Sequence, residues 1–163
     1  MNDPTPVEPV PPGSPGYGDV IPPPSNDGTV VPVVRSLEEG KALYGKVLGL
    51  RLLFEEEVPT EKVRVAAYDG GGVRLELLES LDPTSPISKF LEKRGPGIHH
   101  VCYRVADIES ALAVLRERGI KPLGEAPRPG AGGCRVAFVH PQDAGGVLVE
   151  LSQPPADGGH PRG

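Results

Sequence analysis

The chain has 163 residues, a net charge of −5, two cysteines and no tryptophan. That length suits one domain, or two small repeated modules, with a real core. The acidic balance argues against a nucleic-acid partner, which needs a basic footprint, and no apolar run reaches the about 18 residues of a membrane span.

The opening lacks a basic and apolar leader, and Cys102 and Cys134 form no CxxC pattern. A reduced, cytoplasmic protein is therefore expected. Ten of the 21 prolines lie at or before Pro32. A Pro/Gly-rich disordered arm is expected over residues 1–28, since it cannot bury enough apolar surface to offset the entropy of ordering. Thr29 to Val34 reads as a strand, weakened by Pro32, which fits only at an edge or a bulge.

Ser36-Leu37-Glu38-Glu39 is a capping box that starts a helix. Leu37, Tyr44, Val47 and Leu48 share its apolar face, and Gly49 ends it. Strands are predicted over Leu50–Glu57, Val63–Tyr68 and Val73–Leu78, with a hairpin turn at Asp69-Gly70-Gly71-Gly72. A short helix follows from about Pro86 to Lys93. The order then recurs. His100–Val105 is a strand. Asp107 caps a helix whose apolar Ile108, Ala111, Leu112 and Leu115 recur at helical spacing. Strands are predicted near Lys121–Gly124, Arg135–His140 and Val147–Leu151.

Val34, Leu37, Glu38 and Ala42 match Val105, Ile108, Glu109 and Ala113 at an offset of 71. Leu75-Glu76-Leu77 likewise resembles Val149-Glu150-Leu151. This internal repeat predicts an α+β fold of two βαβββ modules, at about 29–80 and 99–152, within one domain over 29–153, followed by a disordered tail over 154–163. The two open sheets would pair into one concave sheet.

Glu76 and Glu150 sit at matching positions on the last strand of each module, flanked by apolar residues, so both would line that concavity. Two facing carboxylates repel unless a cation or proton lies between them. His100 alternates onto the same face; His99 faces away and reads as a packed histidine. His140 would anchor a turn, and His160 lies in the tail. One imidazole with two carboxylates suits a divalent metal. The repeat mate of His100 is Thr29. The glycine-rich loop at Gly130, Gly132 and Gly133 would let backbone approach a ligand. Arg128 and Arg135, with Lys89, Lys93 and Arg94, are candidates to bind the phosphates of a long ligand.

From Arg35 to Gln153 the chain resembles the methylmalonyl-CoA epimerases of the vicinal oxygen chelate superfamily, which share the glyoxalase/bleomycin-resistance fold. The blocks Ser85-Pro86-Ile87, Gly97-Ile98-His99-His100 and Gly145-Gly146-Val147-Leu148-Val149-Glu150 carry the resemblance. It implies proton transfer at the α-carbon of methylmalonyl-CoA, interconverting its (R) and (S) forms through a metal-stabilised enolate. It implies an acyl-CoA substrate, a place in propionate metabolism and a homodimer.

The metal implied is Co2+ first, with Mn2+, Mg2+, Ni2+ or Zn2+ as alternatives, held by Glu76, His100 and Glu150. Glu150 is implied as one acid/base. The family's fourth ligand, a first-strand His, falls on Thr29. Some members carry a second Glu where this chain has Val65, which leaves Glu57, Glu61 or a water for the opposite-face acid/base. Two alternatives stand beside this: a binding module or inactive relative, motivated by Thr29, and a glyoxalase-type lyase.

Overall fold

A computed structural model describes residues 28–156. The expected arm at 1–28 therefore lies outside the described residues except for Gly28, as does residue 157 onward of the expected tail. Eight strands form one mixed sheet: β1 (Thr29–Val33), β2 (Arg51–Val58), β3 (Val63–Asp69), β4 (Arg74–Ser80), β5 (Gly97–Arg104), β6 (Pro122–Pro129), β7 (Arg135–Val139) and β8 (Leu148–Gln153). Their spatial order is β2-β3-β4-β1-β5-β8-β7-β6, so each half of the sheet is one module. β1 pairs with β4 in parallel, and β5 pairs with β8 in the same way. The halves join where β1 and β5 run antiparallel.

Ladder register verifies the repeat. Thr29 lies opposite Arg74, and His100 lies opposite Leu148. Arg74 and Leu148 each precede the matching glutamate by two positions, so Thr29 and His100 are structural equivalents. Pro32 sits in a central strand, not at an edge. It is accommodated because the β1/β5 register shifts between Val31 and Pro32, the irregularity a residue without an N–H needs.

The helices pack on the sheet according to their apolar faces. Helix α1 (Leu37–Lys41) is capped by Ser36 and continues as a π-helical stretch over Ala42–Val47. The wider turn changes which residues face the core. Leu37 is fully buried, but Val47 is 74% and Leu48 56% exposed, contrary to the regular α-helical spacing. Gly49 at φ +72° ends the segment, with the Leu50 N–H donating to the Tyr44 carbonyl across it. Helix α3 (Ile108–Glu117) keeps the predicted face and buries Ile108, Ala111 and Leu112 against Ala137 and Leu151. Helix α2 (Pro86–Arg94) connects the modules and packs Ile87 with Val31, Val33, Val63, Val65 and Leu78.

The repeat extends to individual hydrogen bonds. The Leu37 N–H donates to Glu79 Oε2 at 3.0 Å, and the Ile108 N–H donates to Gln153 Oε1 at 2.8 Å. In each module the end of the last strand thus satisfies an otherwise orphan donor at the start of the helix. β6 runs to Pro129, further than predicted, as an edge strand that tolerates its prolines.

Candidate functional site

The concave face holds a cavity of about 210 Å3. Strand alternation brings Glu76 from β4, and His100 and Glu150 from β5 and β8, into its lining, beside Thr29, Cys102 and Ser152. It adjoins a wider cleft of about 420 Å3, where Arg51, Arg74 and Arg104 gather near Asp69. The trough is thus acidic on its floor and basic at its wide end.

His100 Nε2 lies 3.1 Å from Glu150 Oε2. Glu76 instead lies 3.6 Å from Arg74. Among the described residues no three His, Cys, Asp or Glu side chains are gathered closely enough to hold a metal ion. The donor chemistry nonetheless fits a divalent cation. Burial raises the Glu76 carboxyl above its ordinary range; Arg74 opposes that shift and the Glu150 charge adds to it. A cation between the two carboxylates would relieve both burdens.

His99 sits behind the site. Its Nδ1 is 2.9 Å from His100 Nδ1, so the two rings share a hydrogen bond whose direction follows their tautomers. The His99 ring also meets Phe90 edge-on. Burial, then the neighbouring His100, pushes His99 down to about 4, so it is neutral at neutral pH. The Cys102 thiol is pushed strongly up by burial and by the Glu150 and Glu76 charges, which keeps it protonated and a poor ligand. His140 caps the short turn Pro141–Asp143, its Nδ1 accepting from the Gln142 N–H.

The candidate substrate contacts are dispersed. Gly132 lines the cavity. Gly130 packs against Val136, where a Cβ would come within 2.6 Å of a valine methyl, and Gly133 approaches Pro155. Arg128 lies over the Phe138 ring at 5.3 Å, and Arg135 pairs with Glu109. The arginines that do line the cleft, Arg51, Arg74 and Arg104, gave no sequence signal beyond their charge.

Of the other acid/base candidates, Glu57 is on the outer face of β2 near Arg64, and the Glu61 N–H closes the turn onto the Val58 carbonyl. Glu56 lines the cavity instead, together with Phe54 and Val58. The run Glu55-Glu56-Glu57 is uniform in composition, and only its two-residue alternation with Phe54 and Val58 marks the middle one.

The profile of the Glyoxalase/Bleomycin resistance protein/Dioxygenase superfamily matches residues 30–138. The chain belongs to this superfamily. Within it, the ethylmalonyl-CoA/methylmalonyl-CoA epimerase of Cereibacter sphaeroides is 42% identical over 122 residues, 74% of this chain and 91% of the relative. The crystal structure of methylmalonyl-CoA epimerase from Mycobacterium tuberculosis superposes with a TM-score of 0.74 at 35% identity, covering 85% of this chain and 92% of the other. A methylmalonyl-CoA epimerase in complex with methylmalonyl-CoA and NH4+ gives a TM-score of 0.68 at 32% identity, covering 78% and 93%. The expected α+β superfamily fold is therefore present, and the relatives that share it are enzymes named as epimerases.

Proposed function

We propose that this chain is a metal-dependent epimerase that interconverts (R)- and (S)-methylmalonyl-CoA. The observation carrying this reading is one cavity, spanning both repeats, that collects Glu76, His100 and Glu150 on the fold shared with the named epimerases. The α-hydrogen of a malonyl thioester is acidic enough to be moved once the resulting negative charge is stabilised.

A divalent metal, Co2+ by preference, held by Glu76, His100 and Glu150 would supply that stabilisation as a Lewis acid. The side chains do the rest. Arg51, Arg74 and Arg104 give the wide end a charge that suits an anionic acyl-CoA. His99 fixes the His100 ring through their shared hydrogen bond. Glu150 moves a proton on its face of the α-carbon. The apolar wall of Phe54, Val58 and Val65 limits water around the reacting carbon.

Among the described residues no helix is long and apolar enough to cross a membrane. A cytoplasmic enzyme, pairing two chains through an exposed sheet edge, fits this reading. The test is exchange of the α-hydrogen of methylmalonyl-CoA in D2O with added Co2+. Deuterium uptake in both epimers is expected; no uptake with any of Co2+, Mn2+, Mg2+, Ni2+ or Zn2+ refutes the reading. Thr29, in place of a fourth donor, favours a second reading, a binding module without turnover. Substrate binding without exchange would mark that case.

A further inference from the structure

We propose that Glu56 is the second acid/base of the reaction, acting on the face of the α-carbon opposite Glu150. This rests on the epimerase reading and names a residue for its unassigned half.

Epimerisation at a carbon acid requires proton transfer on both faces of a planar intermediate. A single wall cannot provide that, so the two groups must face each other across the substrate. The carboxylates lining the inner cavity are Glu56, Glu76 and Glu150. Glu76 lies on β4 and Glu150 on β8, one from each half of the trough floor. Glu56 lies on β2, the edge strand of the first half. From β2 to β8 is five strand spacings in the sheet order. In a flat sheet that would put them about 24 Å apart. Both instead line one cavity of about 210 Å3. The sheet therefore curls until the β2 wall looks across at the β8 wall, and Glu56 confronts Glu150 over the space where a small acyl group fits.

Alternation fixes which glutamate of the run is inside. Glu56 is the ladder partner of Val65, itself a cavity residue, whereas Glu57 is the partner of Arg64 on the outer face. Glu55 is held outside by Lys41 at 2.7 Å and by Arg64 at 3.1 Å. The same lysine and arginine thus hold the outer carboxylates, while Glu56 lines the cavity with Phe54, Val58 and Val65.

The step balances without any further reagent. The Glu56 carboxylate takes the α-proton as the C–H bond breaks, an O–H bond forms and the electron pair moves into the thioester as an enolate. The Glu150 carboxylic acid returns a proton to the other face and is left as carboxylate. Exchange with solvent resets both groups, and the other epimer reacts by the same steps reversed.

The experiment compares wild type, Glu56→Gln and Glu57→Gln, each with added Co2+, on each epimer of methylmalonyl-CoA in D2O. Glu56→Gln is expected to interconvert the epimers at least about 100-fold more slowly. It should still exchange the α-hydrogen of one epimer with retention, through Glu150, and not that of the other. Glu57→Gln should behave as wild type. The inference is overturned if Glu56→Gln interconverts the epimers within threefold of wild type. It is also overturned if a Glu56→Gln protein of unchanged melting temperature slows exchange of both epimers equally. Wild type that does not interconvert the epimers fails the epimerase reading itself, which is a distinct result from a variant with no effect.

Discussion

Replacing Thr29 by His would add a fourth donor to the proposed metal site, at the position the internal repeat makes equivalent to His100. Thr29 and His100 occupy equivalent ladder positions, and Thr29 lines both the inner cavity and the wider cleft. The about 420 Å3 of the wider cleft leaves room for an imidazole. A four-ligand structural zinc site is worth about 10–16 kcal/mol in all. One ligand's share is then about 3 kcal/mol, roughly 100-fold in affinity. Fixing the new side chain takes back about 1 kcal/mol. Thr29→His is therefore expected to bind Co2+ about 10- to 100-fold more tightly in a competition titration against a chelator. Without metal it should melt slightly lower, because a β-branched residue leaves a strand. With saturating Co2+ it should melt higher than wild type by linkage. A dissociation constant within threefold of wild type would refute the equivalence of Thr29 and His100 as donor positions.

Leu112 is 1% exposed beneath α3, so Leu112→Ala should lose about 3 kcal/mol, read as a fall of roughly 10 °C in melting temperature; a loss under about 1 kcal/mol would mean the second module's core is not packed as described. His99 gives a pH dependence of definite sign. Its folded value of about 4 lies below the ordinary 6.5, so the unfolded chain takes up a proton first. This contribution to stability is complete above about 6.5, falls as pH drops toward about 4, and is constant below. Because the ring is only half-buried, about 1–2 kcal/mol is expected. Denaturant titrations of wild type and His99→Asn at the two ends of that window test it, and identical pH slopes would contradict it.

Most of the architecture was legible in the sequence because repetition and periodicity are local properties. The offset matching Leu37 to Ile108 predicted two modules, and alternation placed Glu76, His100 and Glu150 on one face of the sheet. What escaped depended on how the chain closes on itself. Val47 and Leu48 fit a regular helix by spacing, but π-helical winding leaves them exposed. Arg128 and Arg135 carry suitable charge, yet one lies over Phe138 and the other pairs with Glu109. Glu56 is hidden in sequence by two identical neighbours, and only the folded chain places it in the same cavity lining as Glu150. The backbone clasps from Glu79 and Gln153 joined residues 42 and 45 positions apart, beyond any capping motif.

The bulge at Pro32 has a consequence for how faithfully two similar halves assemble. The β1/β5 ladder is the seam between modules, and the proposed donor set is divided by it: Glu76 on one side, His100 and Glu150 on the other. Duplicated β-strands are prone to mispairing by an even number of residues, because a two-residue slip leaves every side chain facing its own layer. Such a slip would carry His100 about 7 Å along the seam relative to Glu76 while leaving the apolar pattern undisturbed. Hydrophobic burial alone would not reject it. Pro32, which cannot donate to a ladder and is accommodated at one irregularity, makes the offsets unequal. A single imino acid thus acts as an alignment key for the seam that sets Glu76 relative to His100 and Glu150.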